Sequence, residues 1–151
     1  MTLKELILTY LKNNHVMQLA TSVNNKPWCC TVYYLTDDKL NLYWASLPTR
    51  RHSKEIDINN LVSCAIKIKS EIGQKVIGVQ VQGKAFQLKK YSEILPIAVK
   101  YTEKFKRGKT WAEQIASSKT EHKIYKLVPD YYQLFDEEHY PESSPMKYVV
   151  E

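Results

Sequence analysis

Residues 28–35, Trp-Cys-Cys-Thr-Val-Tyr-Tyr-Leu, limit the possible folds of this chain more than any other stretch. Aromatic and β-branched side chains favour a strand here. Both alternating rows, Trp28/Cys30/Val32/Tyr34 and Cys29/Thr31/Tyr33/Leu35, are largely apolar or aromatic. A strand with one solvated face would show one polar row. Two apolar rows imply cover on both sides, as in a barrel wall with a helix or a second subunit outside it.

The remaining walls are legible in the same way. Thr2-Leu3-Lys4-Glu5 is a capping-box pattern. Leu3, Leu6, Ile7, Tyr10 and Leu11 follow at helical spacing, so residues 3–12 read as an amphipathic helix ended by Asn13-Asn14. A strand over 16–22 leads to the turn Asn24-Asn25-Lys26-Pro27, and Asp37-Asp38-Lys39 turns the chain into a strand over 40–45. Further strands are expected over 61–68, 76–88, 122–128 and 131–135. Gly78 and Gly83 suggest bulges, bends or close backbone approach within the long one. Residues 92–105 read as a second amphipathic helix, with Pro96 near its first turn, and Thr110-Trp111-Ala112-Glu113 repeats the capping box for a short third. The tail from Pro141 reads as mobile or wrapped over a neighbour. The sum is one domain over 1–151, a small antiparallel barrel of α+β type with six or seven strands and two or three helices.

At 151 residues the chain can bury a core without metal or disulfide staples. No apolar run approaches the ~20 residues of a membrane span, and no signal-peptide pattern opens the chain, so a cytoplasmic setting is expected. Cys29, Cys30 and Cys64 lack metal or CxxC spacing and read as small hydrophobes of a reducing compartment. The net charge of +6 favours anionic partners without choosing among them. The basic cluster Lys104-Phe105-Lys106-Arg107-Gly108-Lys109 reads as a nucleic-acid patch or, in better keeping with helix dipoles, as a helix end and its glycine exit.

One turn breaks the ordinary charge rule. After the strand ending Trp44-Ala45-Ser46 comes Leu47-Pro48-Thr49, and then Arg50, Arg51 and His52 open a helix. Cations at a helix N-terminus oppose the dipole, where free backbone N–H groups already gather. An anion converts that cost into binding. The alternative for Arg51 is an ion pair with Glu55 four residues on. Trp28 and Trp44 read as core or dimer-interface anchors rather than ligand partners, and His15 as a carbonyl cap.

The ordered set His15-Val16-Met17, Pro27-Trp28-Cys29-Cys30-Thr31-Val32-Tyr33-Tyr34, Leu42-Tyr43-Trp44, Arg50-Arg51-His52, Asn59-Asn60-Leu61-Val62-Ser63 and Val76-Ile77-Gly78-Val79-Gln80-Val81-Gln82-Gly83 resembles the pyridoxamine 5′-phosphate oxidase-like, FMN-binding split-barrel superfamily. The resemblance spans nearly the whole chain. It implies a split β-barrel with flanking helices, a homodimer, and FMN at the subunit interface. By that resemblance Arg51 and His52, with Arg50 and Thr49 beside them, hold the phosphate. The backbone of Cys30, Thr31 and Val32 lies along the flavin ring, and Trp44, Ala45 and Ser46 lie near the ribityl chain and phosphate. Gln80 is a candidate polar contact to ring or ribityl chain, or a partner for backbone near Gly78.

Two departures narrow the expectation. His52 stands where many relatives have Lys, so its hold on phosphate would weaken as it loses its proton. The tail Met146-Lys147-Tyr148-Val149-Val150-Glu151 lacks the Trp and Arg of true pyridoxamine phosphate oxidases, so the vitamin B6 substrate is not expected. The function implied is a flavoprotein passing electrons or hydride from a donor such as a nicotinamide to a small molecule, with no protein acid or base named as catalytic. The alternatives are a non-catalytic flavin- or cofactor-binding or sensing module and a basic nucleic-acid-binding barrel.

Overall fold

The computed structural model describes residues 1–151. Helix α1 (Leu3–Lys12) is followed by β1 (Val16–Val23), β2 (Lys26–Tyr33), β3 (Leu35–Thr36) and β4 (Leu42–Ser46). Helix α2 (Arg51–Ile58) leads to β5 (Leu61–Lys69) and β6 (Ile77–Gln87). Then come α3 (Tyr91–Phe105), α4 (Lys109–Ala116), β7 (Lys123–Asp136) and β8 (Met146–Val149).

All pairings are antiparallel, in the order β2-β1-β5-β6-β7-β4-β3, with β8 beside the second half of β7. The two ends of that order, β2 and β3, are separated in the chain by Tyr34 alone. One bent strand thus lies at both margins, and the sheet curls into a split barrel of α+β type. Counting β2 and β3 together gives seven strands.

Inward rows fill the barrel. Met17 and Leu19 of β1, Cys64 and Ile66 of β5, Val79 and Val81 of β6, and Tyr132 and Leu134 of β7 join Trp44 in one buried cluster. Leu6, Ile7 and Leu11 of α1 and Ile56 of α2 belong to the same cluster. A second cluster, on the outside of β3, β4 and β7, is covered by Ile94, Ile97, Ala98 and Tyr101 of α3 and Ala112 and Ile115 of α4. Gly83 is required by close approach, because a Cβ there would lie 2.2 Å from the Val128 carbonyl oxygen, beside an irregularity in the β6–β7 register.

Several local expectations change. The strands expected over 122–128 and 131–135 are one continuous β7, since the bulge opposite Gly83 absorbs Pro129 within the pairing. Helix α4 starts at Lys109 with Gly108 as an uncapped N-cap, so Thr110 is not the capping residue. Helix α3 starts at Tyr91, which puts Pro96 in its second turn. The tail pairs with β7 as β8 rather than remaining loose. The cover expected over both rows of β2 is only half present in the single chain: Cys30 and Val32 pack against the core, but Cys29, Thr31 and Tyr33 are exposed. No helix is long and apolar enough to cross a membrane.

Candidate anion and cofactor site

The basic turn forms the N-terminus of α2, where that helix meets the barrel. Arg50 is the N-cap, in extended conformation, and offers no side-chain cap. The Arg50 N–H donates to Leu47 O at 3.1 Å and Lys54 N–H to Arg50 O at 3.0 Å. The backbone N–H groups of Arg51, His52 and Ser53 between them have no acceptor. The first turn contains no acidic residue. Three donors, the positive dipole end and two guanidinium groups therefore converge with nothing of opposite charge on the backbone side.

Arg51 is held rather than loose. Its Nε donates to Glu55 Oε2 at 2.7 Å, and its guanidinium carbon lies 4.2 Å from the centre of the Trp28 ring. Glu55 Oε1 accepts from the Thr21 hydroxyl at 2.8 Å, which ties the pair to β1. Those two contacts, Arg51 first, hold the Glu55 carboxyl below its ordinary range. The expected i,i+4 ion pair is thus present, yet it uses only Nε and leaves the terminal guanidinium nitrogens without a partner in the chain. Arg50 and Thr49 are exposed beside it, and Arg50 makes no ion pair.

His52 is placed differently from the two exposed arginines. Its side chain is turned inward, 8% exposed, with Nε2 2.8 Å from the Ser46 hydroxyl. Burial, and then the Arg50 charge, pushes its pKa below 6.5. The exposed cations at this turn are therefore Arg50 and Arg51. His52 instead fixes Ser46, which β4 delivers to the same end of the barrel.

The other candidates divide by the pleat. Trp44 is fully buried and stacked on Tyr125, with centroids 5.8 Å apart, so its indole contacts the core. Ala45 faces the α3–α4 cluster. Cys30 and Val32 point toward the barrel interior, and burial raises the Cys30 thiol to about 11, which keeps it protonated. Thr31 points outward, and its hydroxyl donates to Gln18 Oε1 at 2.7 Å. Gln80 is also on the outer face, level with Ala65 and Gln133 in the sheet. It lines a shallow cavity of about 330 Å³ with Gln18, Cys29, Ser63 and Gln82. A single chain therefore brings together Ser46, Thr49, Arg50, Arg51 and His52 but not Gln80.

Sequence reading missed Trp28 and Thr21 as fasteners of Arg51. Only their inward register on paired strands β1 and β2 could have marked them. His15 also differs from expectation: its ring makes no hydrogen bond and packs on Tyr33 at 5.8 Å.

No family model matches this chain. A curated relative, UPF0306 protein PM1958 of Pasteurella multocida, is 29% identical over 83 residues, which is 54% of this chain and 56% of that protein. The match thus spans little more than half the length of the relative. Among solved structures, a candidate pyridoxamine 5′-phosphate oxidase from Listeria innocua has a TM-score of 0.68 at 18% identity, covering 88% of this chain and 98% of the other. A FAD-binding protein from Mesorhizobium loti gives 0.62 at 19%, covering 87% and 92%. The haem storage protein HutZ of Vibrio cholerae gives 0.65 at 16%, covering 85% and 91%. At these identities the likeness is one of architecture. The chain has the fold of the pyridoxamine 5′-phosphate oxidase-like split barrels.

Proposed function

We propose that this chain is an FMN-binding flavoprotein that works as a homodimer and transfers electrons or hydride to a small molecule. The observation that carries the reading is the N-terminus of α2, with three unpaired N–H groups, two arginines and no acidic residue in its first turn. In a fold that one solved neighbour uses to bind FAD, such a terminus suits the phosphate of a flavin nucleotide.

The residues fit that group. Arg51, steadied by Glu55 and Trp28, and Arg50 present guanidinium forks, which bind phosphate oxygens in pairs. Ser46, oriented by neutral His52, adds a hydroxyl. The outer margin of β2 pairs with no strand, so alternate N–H and C=O groups near Cys30, Thr31 and Val32 are open to the edge of a ring. A bound flavin supplies the redox chemistry, and the protein supplies position and electrostatics.

The exposed outer face is consistent with a dimer. Gln18, Cys29, Ser63, Gln80 and Gln82 form a neutral, shallow surface that a second copy would cover, bringing Gln80 to the neighbouring site. HutZ stores haem on the same architecture, and fold alone does not select the cargo or turnover.

Titration of the purified protein with FMN, followed by visible absorption and flavin fluorescence, tests the reading. Binding at micromolar FMN that Arg51→Ala abolishes supports it. A protein that ignores FMN, or binds haem in its place, overturns it. Anaerobic bleaching by NADH or NADPH then separates an oxidoreductase from a carrier.

A further inference from the structure

A second concentration of positive charge lies away from α2, where the end of α1, the start of β1, the end of β2 and the end of α3 meet. A cleft of about 390 Å³ opens there, lined by Lys12, His15, Tyr33, Lys104, Phe105 and Arg107 together with Asn13 and Asn14. The volume is in the range of small-molecule sites. Three of its lining residues are cations and none is a carboxylate. Lys12 alone has an acidic partner, exposed Asp38. Arg107 is exposed and has none.

Lys104 is the unusual member. It is half-buried at the last turn of α3, and its ammonium donates to Asn14 O at 2.7 Å and Tyr34 O at 3.0 Å. It lies 4.8 Å from the centre of the Tyr34 ring and 5.6 Å from that of Phe105. Two of its three N–H groups are thereby used, and one remains. Burial without a counter-ion lowers its pKa to about 8. A charge held among rings without a carboxylate is unfavourable unless something anionic arrives.

Beside this charge stands an aromatic wall. Tyr33 and Phe105 stack with centroids 5.0 Å apart and 16° between planes, and His15 leans on Tyr33. Tyr101 and Trp111 continue the row behind Phe105. Tyr33 is nevertheless 50% exposed, a large apolar surface left open next to unpaired cations.

We propose that this cleft is a binding site for a small organic anion, a carboxylate or phosphate ester carried on an aromatic ring. The anionic group is met by Lys104 and Arg107, and the ring lies against the Tyr33–Phe105 wall. The site uses neither Arg50 nor Arg51, so it stands independently of the flavin reading.

Calorimetric titration of the full chain with 1-naphthyl phosphate and 2-naphthoate tests the proposal. Both bind with Kd on the order of 100 µM, as expected for ligands of this size. Arg107→Ala, at an exposed position where folding is not at risk, weakens both by about tenfold, and Lys104→Met does so by at least as much. Arg50→Ala leaves both unchanged. Inorganic phosphate and uncharged 1-naphthalenemethanol each bind at least about tenfold more weakly. Three outcomes overturn the proposal. These are no binding at millimolar ligand, equal binding of the uncharged alcohol or of free phosphate, and loss of binding in Arg50→Ala but not in Arg107→Ala.

Discussion

Helices α1 and α2 both drive apolar side chains into the barrel interior, yet their surroundings are finished in opposite ways. At α1 the N-terminus is capped and the helix is anchored to the barrel. Thr2 accepts from the Glu5 N–H at 3.1 Å, and Glu5 accepts from the Thr2 N–H at 2.7 Å. Tyr10 donates to buried Asp136 at 2.7 Å, and Asp136 also takes His139 Nδ1 at 2.8 Å and the N–H groups of Glu138 and His139. At α2 the cap is missing, the first turn is basic, and the N–H groups of Arg51, His52 and Ser53 have no acceptor. One helix is built for stability. The other leaves unsatisfied groups where a ligand would satisfy them, the pattern expected when a binding site breaks local rules that the rest of the fold obeys.

The contrast can be broken at either end. Asp136→Ala strips four donors of a fully buried acceptor, and we expect it to lower unfolding free energy by about 3 kcal/mol in urea titrations. A cost below about 1 kcal/mol would mean that the α1 end is not the anchored one. Arg51→Ala should do the reverse. FMN affinity falls by about 10- to 100-fold, while stability changes by less than about 1 kcal/mol because the Arg51 side chain is half exposed and Glu55 keeps its hydrogen bond from Thr21. An unfolding cost larger than that, with FMN binding intact, would make Arg51 structural.

A third change converts one end toward the other. Arg50→Asp supplies an N-cap and a carboxylate at the dipole's positive end, and should raise stability by about 1 kcal/mol while removing FMN binding. Thr2→Ala is its mirror image, costing about 1 kcal/mol and leaving FMN binding untouched. If both variants shift stability in the same direction, the two termini are not opposites.

The smallest effect concerns pH. His52 has its pKa lowered below 6.5 in the fold by burial and by Arg50, so the unfolded chain takes up a proton first. Its contribution to stability is therefore intact above pH 6.5 and is lost as the pH falls from there toward the folded value. Asp136 is also lowered, from 3.8, because its hydrogen bonds together outweigh burial, the largest single influence and the opposing one. Its contribution is present above the unfolded carboxylate range and fails only as the pH falls below it. The α2 end should weaken first on acidification. Thermal melts of His52→Gln should lose the slope between pH 7 and 5 and keep the acid transition below pH 4. A slope unchanged by the substitution would remove His52 from this account.

Much of the architecture was legible because it rests on local periodicity. The capping box and apolar spacing placed α1 at its observed limits, and alternation placed β1, β5 and β6 to within a residue or so. Errors fell where long-range pairing overrides local signals. Two strands were expected over 122–128 and 131–135, yet β7 takes up Asp130 as an extra residue opposite Gln82 and Gly83 and runs on unbroken. The two apolar rows on β2 call for cover on both faces by a helix or a second subunit, and the single chain supplies the inner cover alone. The basic turn was visible as a charge anomaly, and Arg51–Glu55 as an i,i+4 pair. That His52 turns inward to Ser46 was not visible, since a helix N-terminus has no sequence signal for which side chain meets the barrel.

The amino-acid sequence by itself determined the helix and strand periods, the antiparallel succession and the placement of cations before a helix. These depend on neighbours within a few positions, whose geometry the backbone dictates. Only the tertiary structure decided which cations are free. Arg51 is tethered by Trp28 and by Glu55, which Thr21 holds in turn, Arg50 is left open, and His52 is neutralised by burial. Charge at a site depends on desolvation and on partners from distant strands, and both exist only once the barrel has closed.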